Sequence, residues 1–300
     1  MLHTRYPLPY THYSTSKTSI MKNLKFLTLS ALCFVFLFSS CRKFIEGDGP
    51  IVQESIQVPA FTGVILAGGF DVIVTLGDVQ SVVAEGHQNI IDRLQTNITS
   101  DGSLKLDLEN GRYRHYYVVI YVTVPEADKF RISGAGDMTI YQDTQTVMND
   151  LDIEITGAGN MKGVGPFLVN NRTKARITGA GNMNFVIDTD LMDVNITGSG
   201  DMYFDLFANR MDAEITGAGD ISLDGAAAHQ DIRILGSGDY NAYNFLTQST
   251  FVRITGSGDV ECSVDTELEA TITGSGSVFY KGSPTVDVNI SGSGSVKHVN

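Results

Sequence analysis

The amino-acid sequence predicts an all-β protein, a parallel β-solenoid of about nine glycine-rich coils preceded by a more irregular β segment. Three observations carry that prediction. The pattern Ile-x-Gly-(Ala/Ser)-Gly-(Asp/Asn/Ser)-apolar occurs nine times, with first glycines at 134, 157, 179, 198, 217, 236, 256, 274 and 292. The residues leading into each motif alternate, Leu151, Ile153 and Ile155 against Asp152, Glu154 and Thr156, which is the period of a strand with one buried face. The composition favours strands and tight turns: 31 glycines and no tryptophan, with Gly, Thr, Val, Ile and Asp dominant from about residue 60.

In chain order, the first segment, residues 1–41, is read as a non-native start followed by a lipoprotein signal peptide. Residues 1–20 carry no recognisable signal, and Met21 is the better start. From there Lys22 and Lys25 precede an apolar run, Phe26 to Phe38, too short to span a bilayer comfortably and followed by small residues. The ending "FSSC" resembles a bacterial lipobox, which makes Cys41 the lipid attachment site, although Phe38 stands where such motifs usually carry Leu. A signal peptide cut elsewhere is the rival reading. Residues 42–54, beginning "RKFIEGDGP", read as a tether.

Residues 55–130 are β in character without a repeat. "FTGVILAGGFDVIVTLGD" and "HYYVVIYVTVP" read as strands, and "GHQNIIDRLQT" holds room for one short helix. This segment is expected to cap or continue the solenoid, because an exposed coil end is an aggregation-prone edge.

Residues 131–300 hold the repeats, spaced by 18 to 23 residues. Each is read as strand, Gly-rich corner, strand and a looser corner such as "FANR" at 207–210. One such unit cannot bury its apolar face alone, but stacked copies can. Coils about 4.8 Å apart make a rod of roughly 40 Å. An antiparallel meander with each "GSGD" as a hairpin loop is the competitor, but it should make both turns of each repeat alike, and only one is Gly-rich.

Charge and cysteine content limit the function classes. Removing residues 1–41 discards Arg5, Lys17, Lys22 and Lys25 and no acid, leaving 17 basic and 34 acidic residues, a formal charge of −17. Such a surface repels nucleic acid and anionic headgroups. Cys33 leaves with the signal and Cys41 is acylated, so Cys262 has no partner for an internal disulfide.

"GGFDVIVTLGD", "VTVPEADKFRISGAGDM" and the repeated "ITGAGD" units together resemble the putative auto-transporter adhesin, head GIN domain family of Bacteroidetes envelope proteins, over roughly residues 55–300. The resemblance implies a β-solenoid-like fold on an exported protein, often a lipoprotein, and transfers no catalytic residue.

Candidate sites are few. The acid column includes Asp201, Asp220, Asp239 and Asp259, where stacked carboxylates raise the idea of a divalent cation, but Asn and Ser replace Asp in other coils. All three side chains share a structural role, hydrogen bonding to backbone N–H in a turn. "RYRHYYVVIY" gathers Arg112, Tyr113, Arg114 and Tyr116, aromatics and donors suited to a sugar or protein ligand or, equally, to strand packing. Glu154 with Arg176 and Glu214 with Arg233 are expected to pair across adjacent coils. No nucleophile motif, phosphate loop or metal-ligand spacing is present, and no cofactor is implied. The sequence therefore predicts a non-catalytic binding or adhesion module of the cell envelope, joined to a membrane, most simply the outer one, through a lipid, with a glycan or protein ligand. A periplasm-facing structural or stress-related protein is the alternative, and a polysaccharide-active enzyme comes third.

Overall fold

The computed structural model describes residues 44–142 and 146–300. Residues Glu46–Asn300 make up one unit; of the other, Met1–Ile45, only Phe44 and Ile45 are described, so the signal segment and Cys41 lie outside the described residues.

The repeated isoleucines form a physical column. Ile132 pairs in parallel register with Ile155, and the ladder continues through Ile177, Ile196, Ile215, Ile234, Ile254, Ile272 and Ile290. All but the last are fully buried. Parallel pairing of equivalent residues in successive repeats is the geometry of stacked coils and excludes the antiparallel meander. The fold is thus an all-β solenoid of about nine turns, as the repeat predicts.

The inner coils, from Met161–Gly179 to Val260–Gly274, each run as one long strand from just past one Gly corner to the next, Met202–Gly217 and Ile221–Gly236 being examples. The looser corner therefore does not interrupt the ladder: Phe207 and Ala208 in "FANR" stay in register with Ala226 and Ala227. Inward residues Met202, Phe204, Leu206, Met211, Ala213 and Ile215 fill one layer of the core. Phenylalanines continue it between layers, Phe167 meeting Phe185 edge-on at 5.4 Å between ring centroids. Variation in repeat length is absorbed away from the motif. Register slips lie between Lys162 and Pro166, Val169 and Arg172, and Ala242 and Leu246, never between the entering strand and its Ile.

The glycines have two separate reasons to be glycine. At the first motif position from Gly179 onward the backbone takes positive φ, +131° at Gly217 for example, and a Cβ there would sit 2.3 Å from the Gly198 carbonyl oxygen. The second glycine needs only the space: a Cβ on Gly219 would lie 2.1 Å from the Gly200 oxygen.

The N-terminal segment both continues and caps the stack. Strand Gly63–Leu66 pairs in parallel with Lys129–Ile132, and Asp71–Leu76 with Met138–Gln142. The bend between them, "AGGF", lies on the first motif, with Ser133 N–H donating to the Leu66 carbonyl at 2.8 Å. Strands Ser103–Leu108 and Val118–Val124 add a further parallel layer on these two. Antiparallel strands then close this end, Ser81–His87 on Val118–Val124 and Ile51–Ser55 outermost. The expected short helix is a single turn, Gln88–Ile91, pinned by buried Ile90 and Ile91.

Cys262 is buried in the core, and burial pushes its thiol up to about 12. The thiolate is the reactive form, so the folded chain is expected to leave Cys262 unmodified by an aromatic disulfide reagent at pH 8. Labelling should appear only with denaturant, and rapid labelling of the native chain would contradict this packing.

Candidate functional site

Parallel stacking turns every outward position into a straight column, so the surface is built from repeat positions. The acid column is one of them, and its role differs from local turn closure. Each side-chain oxygen accepts the backbone N–H of the equivalent residue one coil on: Asp201 Oδ1 from Asp220 at 3.0 Å, Asp220 Oδ1 from Asp239 at 2.8 Å and Asp239 Oδ1 from Asp259 at 2.8 Å. The chain of bonds starts at Asp71, which accepts from Asp137 at 3.3 Å, and reaches Ser277, which donates to Asp259 Oδ1 at 2.7 Å. The asparagines extend the pattern, because Asn160 and Asn182 each add an amide bond back to the preceding oxygen at 3.0 Å. Among the described residues no three His, Cys, Asp or Glu side chains gather as a metal site.

This bonding makes a direct prediction. Asp220→Asn keeps the acceptor and adds a donor, so its midpoint of unfolding should hold or rise, whereas Asp220→Ala strands the Asp239 N–H and should cost about 1–3 kcal/mol. Treatment with EDTA should leave the melting temperature unchanged; a marked fall would establish a bound cation at Asp201, Asp220, Asp239 or Asp259.

A second surface is the face entering each motif, where charges of both signs stand in columns. Arg131 lies between acids of two layers, 3.7 Å from Asp101 and 3.2 Å from Glu154. Arg176 bridges back a coil to Asp152 at 2.6 Å and Glu154 at 3.9 Å, so the expected Glu154 partner is the weaker of two. Arg172 meets Asp193 at 3.0 Å, and Arg210 meets Asp212 at 2.8 Å and Asp231 at 3.9 Å. The expected Glu214–Arg233 pair is a correction: the two are register neighbours, yet no ion pair forms between them. Register fixes only the backbone positions, and the exposed Arg233 side chain is flexible enough to point away from Glu214. A shallow trough of about 340 Å³ runs over this face, lined by Lys174, Arg176, Asn195, Asp212, Glu214 and Arg233 among others.

The aromatic group of the N-terminal segment is held in place by its own hydroxyls. Tyr113 donates to the Glu109 carbonyl at 2.6 Å and Tyr116 to the Gly69 carbonyl at 2.9 Å, with their rings edge-on at 5.6 Å. Burial pushes both phenols above the usual tyrosine range. Arg114 is engaged with Glu46 at 2.5 Å, while Arg112 is exposed. Between Arg114 and Tyr116, His115 takes a left-handed φ of 49°. The structure thus brings Tyr113 and Tyr116 together; the Tyr113 hydroxyl closes the 109–116 loop on itself, and the Tyr116 hydroxyl ties it to the bend at Gly69.

A third surface was not legible as a site. Outward Phe207 and Leu246, 54 % and 58 % exposed, flank Ala226 in one column, and Tyr203 donates across a coil to Asp224. That hydrogen bond holds the Asp224 carboxyl below its usual range and raises the Tyr203 phenol. The signal available was the run "GAAA" at 225–228, small residues where other coils carry bulk.

Fold and surface together define a class: a parallel β-solenoid whose outward columns repeat coil by coil. The chain belongs to the family described as putative auto-transporter adhesin, head GIN domain, whose model matches residues 60–284. Solved structures of similar fold include a putative adhesin from Parabacteroides distasonis, with TM-score 0.65 and 21 % identity over 86 % of this chain and 100 % of that one. A putative adhesin from Parabacteroides merdae matches with TM-score 0.65 and 19 % identity over 86 % and 99 % of the two chains. A putative lipid binding protein from P. distasonis matches with TM-score 0.60 and 20 % identity over 86 % and 100 % of the two chains. A search of curated proteins found no match.

Proposed function

We propose that the protein is a non-catalytic binding module of the cell envelope, anchored by a lipid on Cys41 and presenting the solenoid to a glycan or protein ligand. The observation that carries this reading is the parallel register that each motif and the strand entering it keep from Lys129 to Gly292, which makes a rigid, extended surface of repeated side chains. Such a scaffold pre-organises contacts along a ligand, so little ordering entropy is lost on binding. Membership of an adhesin-described family and the apolar run ending at Cys41 support the same reading.

Protease shaving of intact cells tests it, followed with antibodies against the solenoid and against the loop around Tyr113. Digestion without lysis is the expected result. Protection until lysis would favour the periplasm-facing structural reading. In parallel, Cys41→Ala should abolish incorporation of labelled palmitate and release the protein from the membrane fraction.

A further inference from the structure

On the face entering each motif, four of the six guanidiniums of residues 131–300 are matched with acids, those of Arg131, Arg172, Arg176 and Arg210. Arg233 and Arg253 break that rule. They are paired in register on adjacent coils, both exposed, and neither guanidinium has an ion pair or hydrogen bond with another described residue. Like charges side by side on one sheet face are destabilising, and the two backbones are only about 4.8 Å apart. On a chain of such acidic balance this juxtaposition serves no internal partner. Two parallel guanidinium forks suit a carboxylate brought from outside.

The surroundings narrow the ligand. Phe251, 36 % exposed, stands two residues before Arg253 on the same face, about 7 Å away, and offers a ring to the apolar side of a sugar. Leading up to Arg233, the trough carries Asn195, Asp212, Glu214 and Asp231, acceptors for hydroxyl groups. Thr255 and Thr271 flank Arg253, one along its strand and one on the next coil. Those acids, with Glu269 beside Phe251, repel a ligand charged at every unit, while a neutral glycan leaves both arginines without a partner. An oligosaccharide with spaced carboxylates satisfies both conditions.

We propose that Arg233 and Arg253 hold the carboxylate of an acidic sugar, with Phe251 under its ring and Asp212, Glu214 and Asp231 accepting from hydroxyls of neighbouring sugars. This site rests on the reading of the protein as a ligand-presenting module and names the ligand class. The test is calorimetric titration of the full chain in detergent with defined tetrasaccharides, glucuronate alternating with N-acetylglucosamine and galacturonate- or mannuronate-containing counterparts. Each is compared with the same molecule carboxyl-reduced, and an acidic peptide serves as a separate probe. At least one uronate should bind, its reduced form at least tenfold more weakly. Arg233→Gln and Arg253→Gln should each weaken binding about tenfold at an unchanged melting temperature, and Arg112→Gln should not. Equal binding of acid and reduced forms, no loss in the two variants, no binding of any uronate, or binding of the peptide alone would each overturn the proposal. Any of these alongside surface exposure in the shaving experiment leaves the adhesion reading standing; uronate binding by a protein protected until lysis keeps this site and removes that reading.

Discussion

Replacing Gly217 with alanine is expected to break the stack at the middle of the solenoid. The added Cβ would meet the Gly198 carbonyl oxygen at 2.3 Å, and that oxygen is fixed by accepting the Ala218 N–H at 2.9 Å. Neither atom is the end of a flexible side chain, so relief requires parting two coils. The φ of +131° adds strain that only glycine escapes. Together these place the cost at about 4 kcal/mol or more, the range reserved for backbone and core failures, and the melting temperature should fall by roughly 8–16 °C. Gly69→Ala is the control. It lies in the equivalent bend of the N-terminal layer stacked on the first motif, but its Cβ would find only the Tyr116 hydroxyl at 3.9 Å, so stability should hold within about 1 kcal/mol. Thermal unfolding followed by circular dichroism separates the two, and equal tolerance of both substitutions would contradict the inter-coil contact.

Shaving Ile215 to alanine should be nearly as damaging, and the same change at Ile290 should not. Ile215 is fully buried between Ile196 and Ile234, so truncation leaves a cavity with walls on every side, costing about 2–5 kcal/mol. In a stacked array the loss is felt by both neighbouring interfaces. Ile290 holds the identical motif position but is 38 % exposed, with a coil on one side only. Its truncation removes less buried area and encloses no cavity, so about 1 kcal/mol is expected. Urea titrations of the two variants give the comparison directly. Equal losses would mean that Ile290 is covered by something beyond the pairing seen here.

Much of this architecture could be read without coordinates, for a physical reason. In a parallel stack each residue's main neighbour is its own equivalent one repeat away, so contacts in space become periodicity along the chain. The Ile column, the alternation around it and the Gly corners are all visible in this way. The layer at residues 65–72 escaped because Leu66 replaces Ile and Phe70 stands at the second glycine, leaving only Asp71 and Gly68 in their columns. The ends of the bonds were equally hidden. That Asp220 receives an N–H from Asp239 rather than from its own turn depends on the offset between coils, which no spacing reveals.

Ion pairing shows the same division. Composition and period place Glu154, Arg176, Glu214 and Arg233 in one outward column, and the register confirms that they are neighbours. Whether neighbours pair is decided by side-chain reach and by competing acids. Arg176 turns to Asp152, and Arg233 is left facing solvent beside Arg253. Local pattern therefore sets the stacked fold, because backbone pairing and burial repeat with the sequence. The exposed arginine pair and the side-chain bonds between coils emerge only in three dimensions, because they depend on which of several nearby partners each flexible side chain reaches first.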